Sequence, residues 1–228
     1  MGVRAEVRRH RDVLGDVVAV HHDRPSAGTA LGFVLVWVVM SGLTFIFPGE
    51  TLVLAIAPSV GLFIIGVVIY VMLAGERLVV CERGVLLGSV APFLRPYAIR
   101  YDQIVVGSVV PISAKITRYG KQTGLPVMTT VRISWWSKRG VSFVGPSPAE
   151  ARRSLSATAP PPQDVGFPWL IGTRAPAEQA TADIARAAQA AGFTELARQT
   201  AAAPPRVLSG NAVDNPVQLP GVTVLSRR

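Results

Sequence analysis

Three histidines, His10, His21 and His22, and one cysteine, Cys81, are the only side chains of their kinds in this chain. All three histidines precede the first long apolar run. The rest of the chain therefore cannot assemble a Ser-His-acid relay or a histidine-rich metal site. His21-His22-Asp23 does have metal-ligating groups, but three consecutive residues rarely converge on one ion, and a polar linker is the expected role. Cys81 stands alone, which excludes an intramolecular disulfide and a cysteine-based zinc knuckle and suits a reducing cytosol. Next to Val80 in a strand-like run, it reads as small core filler rather than as a nucleophile. Neither a Gly-Lys-Ser/Thr phosphate loop nor a Gly-x-Gly-x-x-Gly turn occurs. No cofactor is implied, and the chain does not read as an enzyme.

The residues that could recognise something are basic. Residues 76–150 hold ten bases against four acids, so +6 of the net +9 falls there. Lys115, Arg118 and Lys121 surround a Tyr119-Gly120 turn, and Arg132, Lys138 and Arg139 form a second group. An anionic leaflet would gain about 1 kcal/mol from each base facing it. The alternative is a solvated basic rim with no partner. Adjacent strand residues face opposite ways, so Trp135 is expected in the core beside Ile133 and Trp136 outside, near Lys138 and Arg139. An exposed Trp136 suits a lipid headgroup zone or a protein interface, or it covers the second sheet face under a loop. Nucleic acid is not an expected partner, because aromatic stacking platforms are scarce in the basic region.

These residues need elements to position them. Two apolar runs, 28–47 and 52–74, contain no Asp, Glu, Lys or Arg and stand four residues apart. At 1.5 Å per residue they reach about 30 and 34 Å, enough for a hydrocarbon core of roughly 30 Å. The link Pro48-Gly49-Glu50-Thr51 returns the chain to the side it came from. This predicts an integral, two-span transmembrane helical hairpin over 28–75. Arg4, Arg8, Arg9, Arg11 and Arg24 before it, with Arg77, Arg83, Arg95 and Arg100 after it, place both termini in the cytoplasm, making a multi-pass inner-membrane protein. Gly28 and Gly32 permit close helix packing within the hairpin or between copies. Residues 3–20 could form an amphipathic helix on the inner leaflet, within a juxtamembrane segment 1–27.

Past residue 76 the pattern turns to short β-branched runs: 78–81, 85–90, 97–101, 104–110 and 112–117. A hairpin is expected from 127–136 through Ser137-Lys138-Arg139-Gly140 into 141–144. Residues 147–164 read as an exposed loop, with Pro160-Pro161-Pro162 denying it a ladder. A last strand follows at 167–172, then a helix over 176–191 whose apolar stripe is Ala180, Ile184, Ala187, Ala188 and Ala191. Thr173 could cap that helix and Gly192 stops it. The composition of 193–228 reads as a disordered tail.

The stretch Arg77-Leu78-Val79-Val80-Cys81-Glu82-Arg83-Gly84-Val85-Leu86-Leu87, followed by Tyr97-Ala98-Ile99-Arg100-Tyr101-Asp102-Gln103-Ile104, resembles the bacterial pleckstrin-homology-like domains attached to membrane hairpins. Ile99, Tyr101, Asp102 and Ile104 occupy the family's I-x-W/Y-x-x-I segment. The resemblance covers residues 77–192. It implies an α+β chain whose domain at 76–192 is a bent antiparallel barrel closed by a C-terminal helix, a fold that serves mainly as a binding module. The Glu82-Arg83-Gly84 turn is too short for the phosphate-binding hairpin of the family's eukaryotic relatives. The expected function is a membrane-tethered, non-enzymatic scaffold that recognises a protein partner or anionic lipid, with a homo-oligomer as a further expectation. The rival is an accessory subunit of a transport or envelope-synthesis complex, in which the hairpin makes the main contact.

Overall fold

The computed structural model describes residues 7–46, 60–68, 70, 75–89, 96–117, 130–153 and 166–207. A short helical turn, α1 (Arg11–Leu14), leads into strand β1 (Val17–His22) and then helix α2 (Ala27–Ile46). Residues 60–68 are helical too. Strands β2 (Glu76–Cys81), β3 (Gly84–Ser89) and β4 (Tyr97–Arg100) follow, then β5 (Val110–Ala114), β6 (Val131–Arg132) and β7 (Arg139–Gly145). Helix α3 (Pro148–Arg153), β8 (Phe167–Thr173), α4 (Ala177–Ala190), α5 (Thr194–Ala202) and β9 (Arg206–Val207) complete the order.

Two sheets result. The first runs β1-β2-β3-β4 with every neighbour antiparallel. The second runs β6-β8-β7-β5-β9 and is mixed, since β6 lies parallel to β8 and β9 parallel to β5. An entirely antiparallel barrel was expected, and the two parallel pairs depart from it.

Alternation explains the layers. Leu78, Val80, Val85, Leu87, Tyr97 and Ile99 of the first sheet share one buried core with Val141, Phe143, Trp169 and Ile171 of the second. The intervening Val79, Cys81, Leu86 and Ala98 face the other way and are covered by Val7, Val13 and Leu14 of the N-terminal segment. A sheet covered on both faces needs apolar residues at successive positions. That is why Leu78 to Cys81 and Val85 to Leu87 read as unbroken apolar runs rather than as clean alternations. The expected stripe of α4 is real: Ala180, Ile184, Ala187 and Ala188 close the core, and Ala191 packs beside it.

Helix α4 ends on a Schellman cap, in which Phe193 N–H donates to Ala188 O at 2.9 Å and Gly192 N–H to Gln189 O at 3.1 Å. Gly192 holds φ +87° with open space around the position a Cβ would take. Gly192→Ala is therefore expected to cost about 1–2 kcal/mol from backbone strain alone. An unchanged thermal midpoint would show that the turn absorbs an L side chain freely.

Several expectations are corrected. Among the described residues no helix is long and apolar enough to cross a membrane. The two-span hairpin, the integral membrane placement and the multi-pass inner-membrane localisation are overturned by this. The link at 48–51 lies outside the described residues.

Residues 17–22 are not juxtamembrane. They form β1, paired to β2 from Val17↔Cys81 to His22↔Arg77, so the body begins before the apolar runs. Residues 133–138 form no strand, because Ser137 N–H turns back to Ser134 O at 2.9 Å, and β7 pairs with β8 and β5 instead. Most of 104–110 is loop, α3 occupies part of the expected loop 147–164, and α5 stands where a tail was expected. Leu196 and Ala197 of α5 join the main core, burial that Ala-rich composition alone does not signal. Thr173 caps nothing: its hydroxyl donates to Ala175 O at 3.1 Å.

Candidate interaction site: an apolar arm on a polar root

Because His22 pairs with Arg77, residues 23–76 form an insertion between two hydrogen-bonded strands. Helix α2 and the helix at 60–68 lie side by side within it. Trp37 and Phe63 have ring centroids 4.9 Å apart, and Phe33 meets Tyr70 edge-on at 6.2 Å. A cleft of about 290 Å³ opens between the two helices, lined by Phe33, Trp37, Phe63, Gly66 and Tyr70 among others. The outward faces are apolar as well. Val36 is 63% exposed, Val39 60% and Ile65 56%, and none of residues 27–46 or 60–68 is charged. An exposed contiguous apolar surface beyond a few hundred Å² marks an interaction site in a folded chain.

The arm is rooted in polar contacts. Ser26 Oγ accepts from Thr29 N–H at 3.2 Å, which caps the start of α2. Arg174, just after β8, donates its backbone N–H to His22 O at 2.8 Å and its guanidinium to Pro25 O at 3.2 Å. Trp136 donates its indole N–H to Asp23 O at 3.2 Å, and the Ser137 hydroxyl donates to the Asp23 carboxylate. Glu76 and Arg132 form an ion pair at 2.9 Å. Below the root, His21 Nε2 lies 3.1 Å from Asp183 of α4, whose other oxygen accepts from Arg186 at 3.0 Å.

Electrostatics at the root are set by burial. Burial pushes the Asp23 carboxyl above its ordinary range, against the Ser137 hydrogen bond, and pushes Glu76 up against the pull of Arg132. Burial, with Arg77 next in weight, pulls His22 down. Four buried polar atoms gathered here, His22 Nδ1, Glu76 Oε2, Arg77 Nε and Arg132 Nε, have no hydrogen-bond partner among the described residues. A raised carboxyl binds its proton more tightly in the folded state, so its contribution is full below the unfolded value and fades as pH rises through the folded one. The native chain should therefore lose stability relative to Asp23→Asn as pH climbs through the interval above the ordinary 3.8. Parallel denaturation curves of the two proteins across pH test this. A constant difference between them would contradict it.

The expected site residues separate. Lys115 and Lys138 are exposed and neighbouring, with Ile116 N–H donating to Lys138 O at 3.4 Å, and Arg139 begins β7 beside them. Arg132 turns inward to Glu76 and also stacks its guanidinium 5.0 Å from the centre of the Tyr97 ring. Trp136 is half-buried at the root, whereas Trp135 is 63% exposed and meets Phe33 of the arm at 5.6 Å. The expected burial of the two tryptophans is thus reversed, because they sit in a turn and strand alternation does not apply. Arg118 and Lys121 lie outside the described residues. His21 and Asp23 engage different elements, α4 and the 134–137 turn. Among the described residues no group of three or more His, Cys, Asp or Glu could hold a metal ion.

Fold and site together define an α+β body of two packed sheets that carries an inserted apolar arm. Comparison with known proteins found no matching family model, no matching curated protein and no matching solved structure.

Proposed function

We propose that this chain is a non-enzymatic binding module, built in the manner of pleckstrin-homology-like domains, whose body presents the apolar arm to a protein partner. The observation that carries this reading is the uncharged, half-exposed surface of the arm's described helices, inserted between paired strands and held there by Trp136, Arg174 and the Asp23–Ser137 contact. Burying such a surface on a partner gains roughly 25 cal/mol per Å² before the costs of association. The hydrogen bonds at Asp23 and Pro25 lower those costs, since they restrain the base of the arm before it binds.

Deletion of residues 25–74 tests the reading. It leaves Asp23, Arg24, Gly75 and Glu76 between His22 and Arg77, a four-residue loop of hairpin length. The expected result is a folded body that no longer associates. A folded deletion variant that associates as the full chain does would overturn the reading. The cluster of Lys115, Lys138 and Arg139 favours a second one, contact with an anionic ligand, which a salt-dependent titration lost on changing all three to Ala would support.

A further inference from the structure

We infer that the occupant of the arm is a second copy of this chain, the two arms packing symmetrically into a four-helix bundle; the inference rests on the arm being the binding surface. Area is the first argument. Leaving aside Phe63, which packs on Trp37, thirteen large apolar side chains between Leu31 and Val68 are each 43–63% exposed. Together they offer on the order of 1,000 Å², the scale of one side of a stable dimer interface. A single helix pair cannot cover this by itself.

Charge is the second argument. The chain carries +9, and the arm's described helices carry no charged residue. Two copies meeting through their bodies bring like charge together, whereas two copies meeting through their arms do not. The arm is the face on which a strongly basic chain can meet itself without repulsion.

Shape is the third argument. On α2, Gly32, Val36 and Val39 recur at i, i+4 and i+7, and on the second helix Gly61, Ile64, Ile65 and Val68 form the matching outward stripe. A Cβ added at Gly32 or Gly61 would meet nothing within 4 Å, so both stripes have room for close helix approach beside exposed β-branched side chains. Phe33, Trp37, Phe63 and Tyr70 are already used between the two helices of one arm, which leaves the outer stripes for the partner copy. A two-fold arrangement presents the same stripes on both sides and closes on itself, whereas a head-to-tail contact leaves one set bare.

The test uses the full chain. Sedimentation should report a dimer that persists or tightens at high salt, because salt screens the basic bodies and leaves apolar contact intact. Val36→Glu with Val39→Glu should weaken it at least about 100-fold, since like charges meet across the two-fold axis. Oxidative crosslinking provides a second readout. Cys81 is buried, its thiol pushed up to about 12 by desolvation, so an introduced cysteine is the reactive one. Val39→Cys should crosslink into a dimer while Glu178→Cys, on exposed α4 surface, should not.

A chain that is monomeric at every concentration, with no excess crosslinking at Val39→Cys, overturns the second copy as occupant. If that monomer still captures another protein through its arm, or takes up a neutral apolar dye such as N-phenyl-1-naphthylamine in the cleft beside Trp37, the binding-module reading survives with a different occupant. If the chain dimerises equally well without residues 25–74, the arm reading itself fails.

Discussion

Arg132→Ala should lower the unfolding free energy by about 3 kcal/mol, the low end of what breaking a buried ion pair costs. Arg132 is 21% exposed and its partner Glu76 only 12%, with 2.9 Å between nitrogen and oxygen. Removing the guanidinium leaves a mostly buried carboxylate whose second oxygen has no hydrogen-bond partner among the described residues. It also removes one of two cations on the Tyr97 ring, the other being Arg152 at 4.9 Å. Chemical denaturation of the variant measures the loss. Replacing Glu76 and Arg132 together by Gln and Met should restore part of it, because an absent pair costs less than a broken one. A single variant as stable as the native chain would mean that Arg132 is free to serve a ligand, the role that its position among basic residues suggested.

Gly140→Ala should prevent the body from folding, at a cost above about 4 kcal/mol, where only steric or core defects reach. Ordinarily Ala in place of Gly within a strand is neutral or helpful. Here a Cβ would collide with the carbonyl oxygen of Ile171 on β8 and with the side chain of Ile116. Backbone cannot retreat, since Gly140↔Gly172 lies inside a continuous antiparallel ladder from Arg139↔Thr173 to Gly145↔Phe167. The facing Gly172 serves the root directly, for a Cβ there would collide with the Asp23 carboxylate. Soluble yield and the far-ultraviolet circular dichroism of Gly140→Ala decide the matter. A folded variant would show that β7 and β8 can separate by the width of a methyl group.

The two substitutions connect body and arm by different routes. Gly140 and Gly172 let the strands and the arm's base come close, and Arg132 neutralises Glu76 where the arm returns to β2. If the chain assembles through its arm, damage at either position should weaken assembly through loss of the root, with the outward stripes of α2 and 60–68 left intact.

Local chemistry was enough for the parts of the body whose neighbours are close in the chain. Strands β2, β3, β4 and β8 were legible because β-branched residues recur over short runs bounded by turns, and α4 because Ala180, Ile184 and Ala187 recur at helical spacing before Gly192. The apolar character of the arm was equally plain, although no described helix is long and apolar enough to cross a membrane. Tertiary structure decided everything that depends on distant partners. Strand β1 exists because Val17 to His22 meet residues 77–81, and Ala-rich α5 is ordered because Leu196 and Ala197 reach the core beside α4. Arg132, Trp135 and Trp136 were misread for the same reason. Periodicity reports which face a side chain takes within one element, while its salt bridge, turn or ring contact belongs to a segment that only folding brings near.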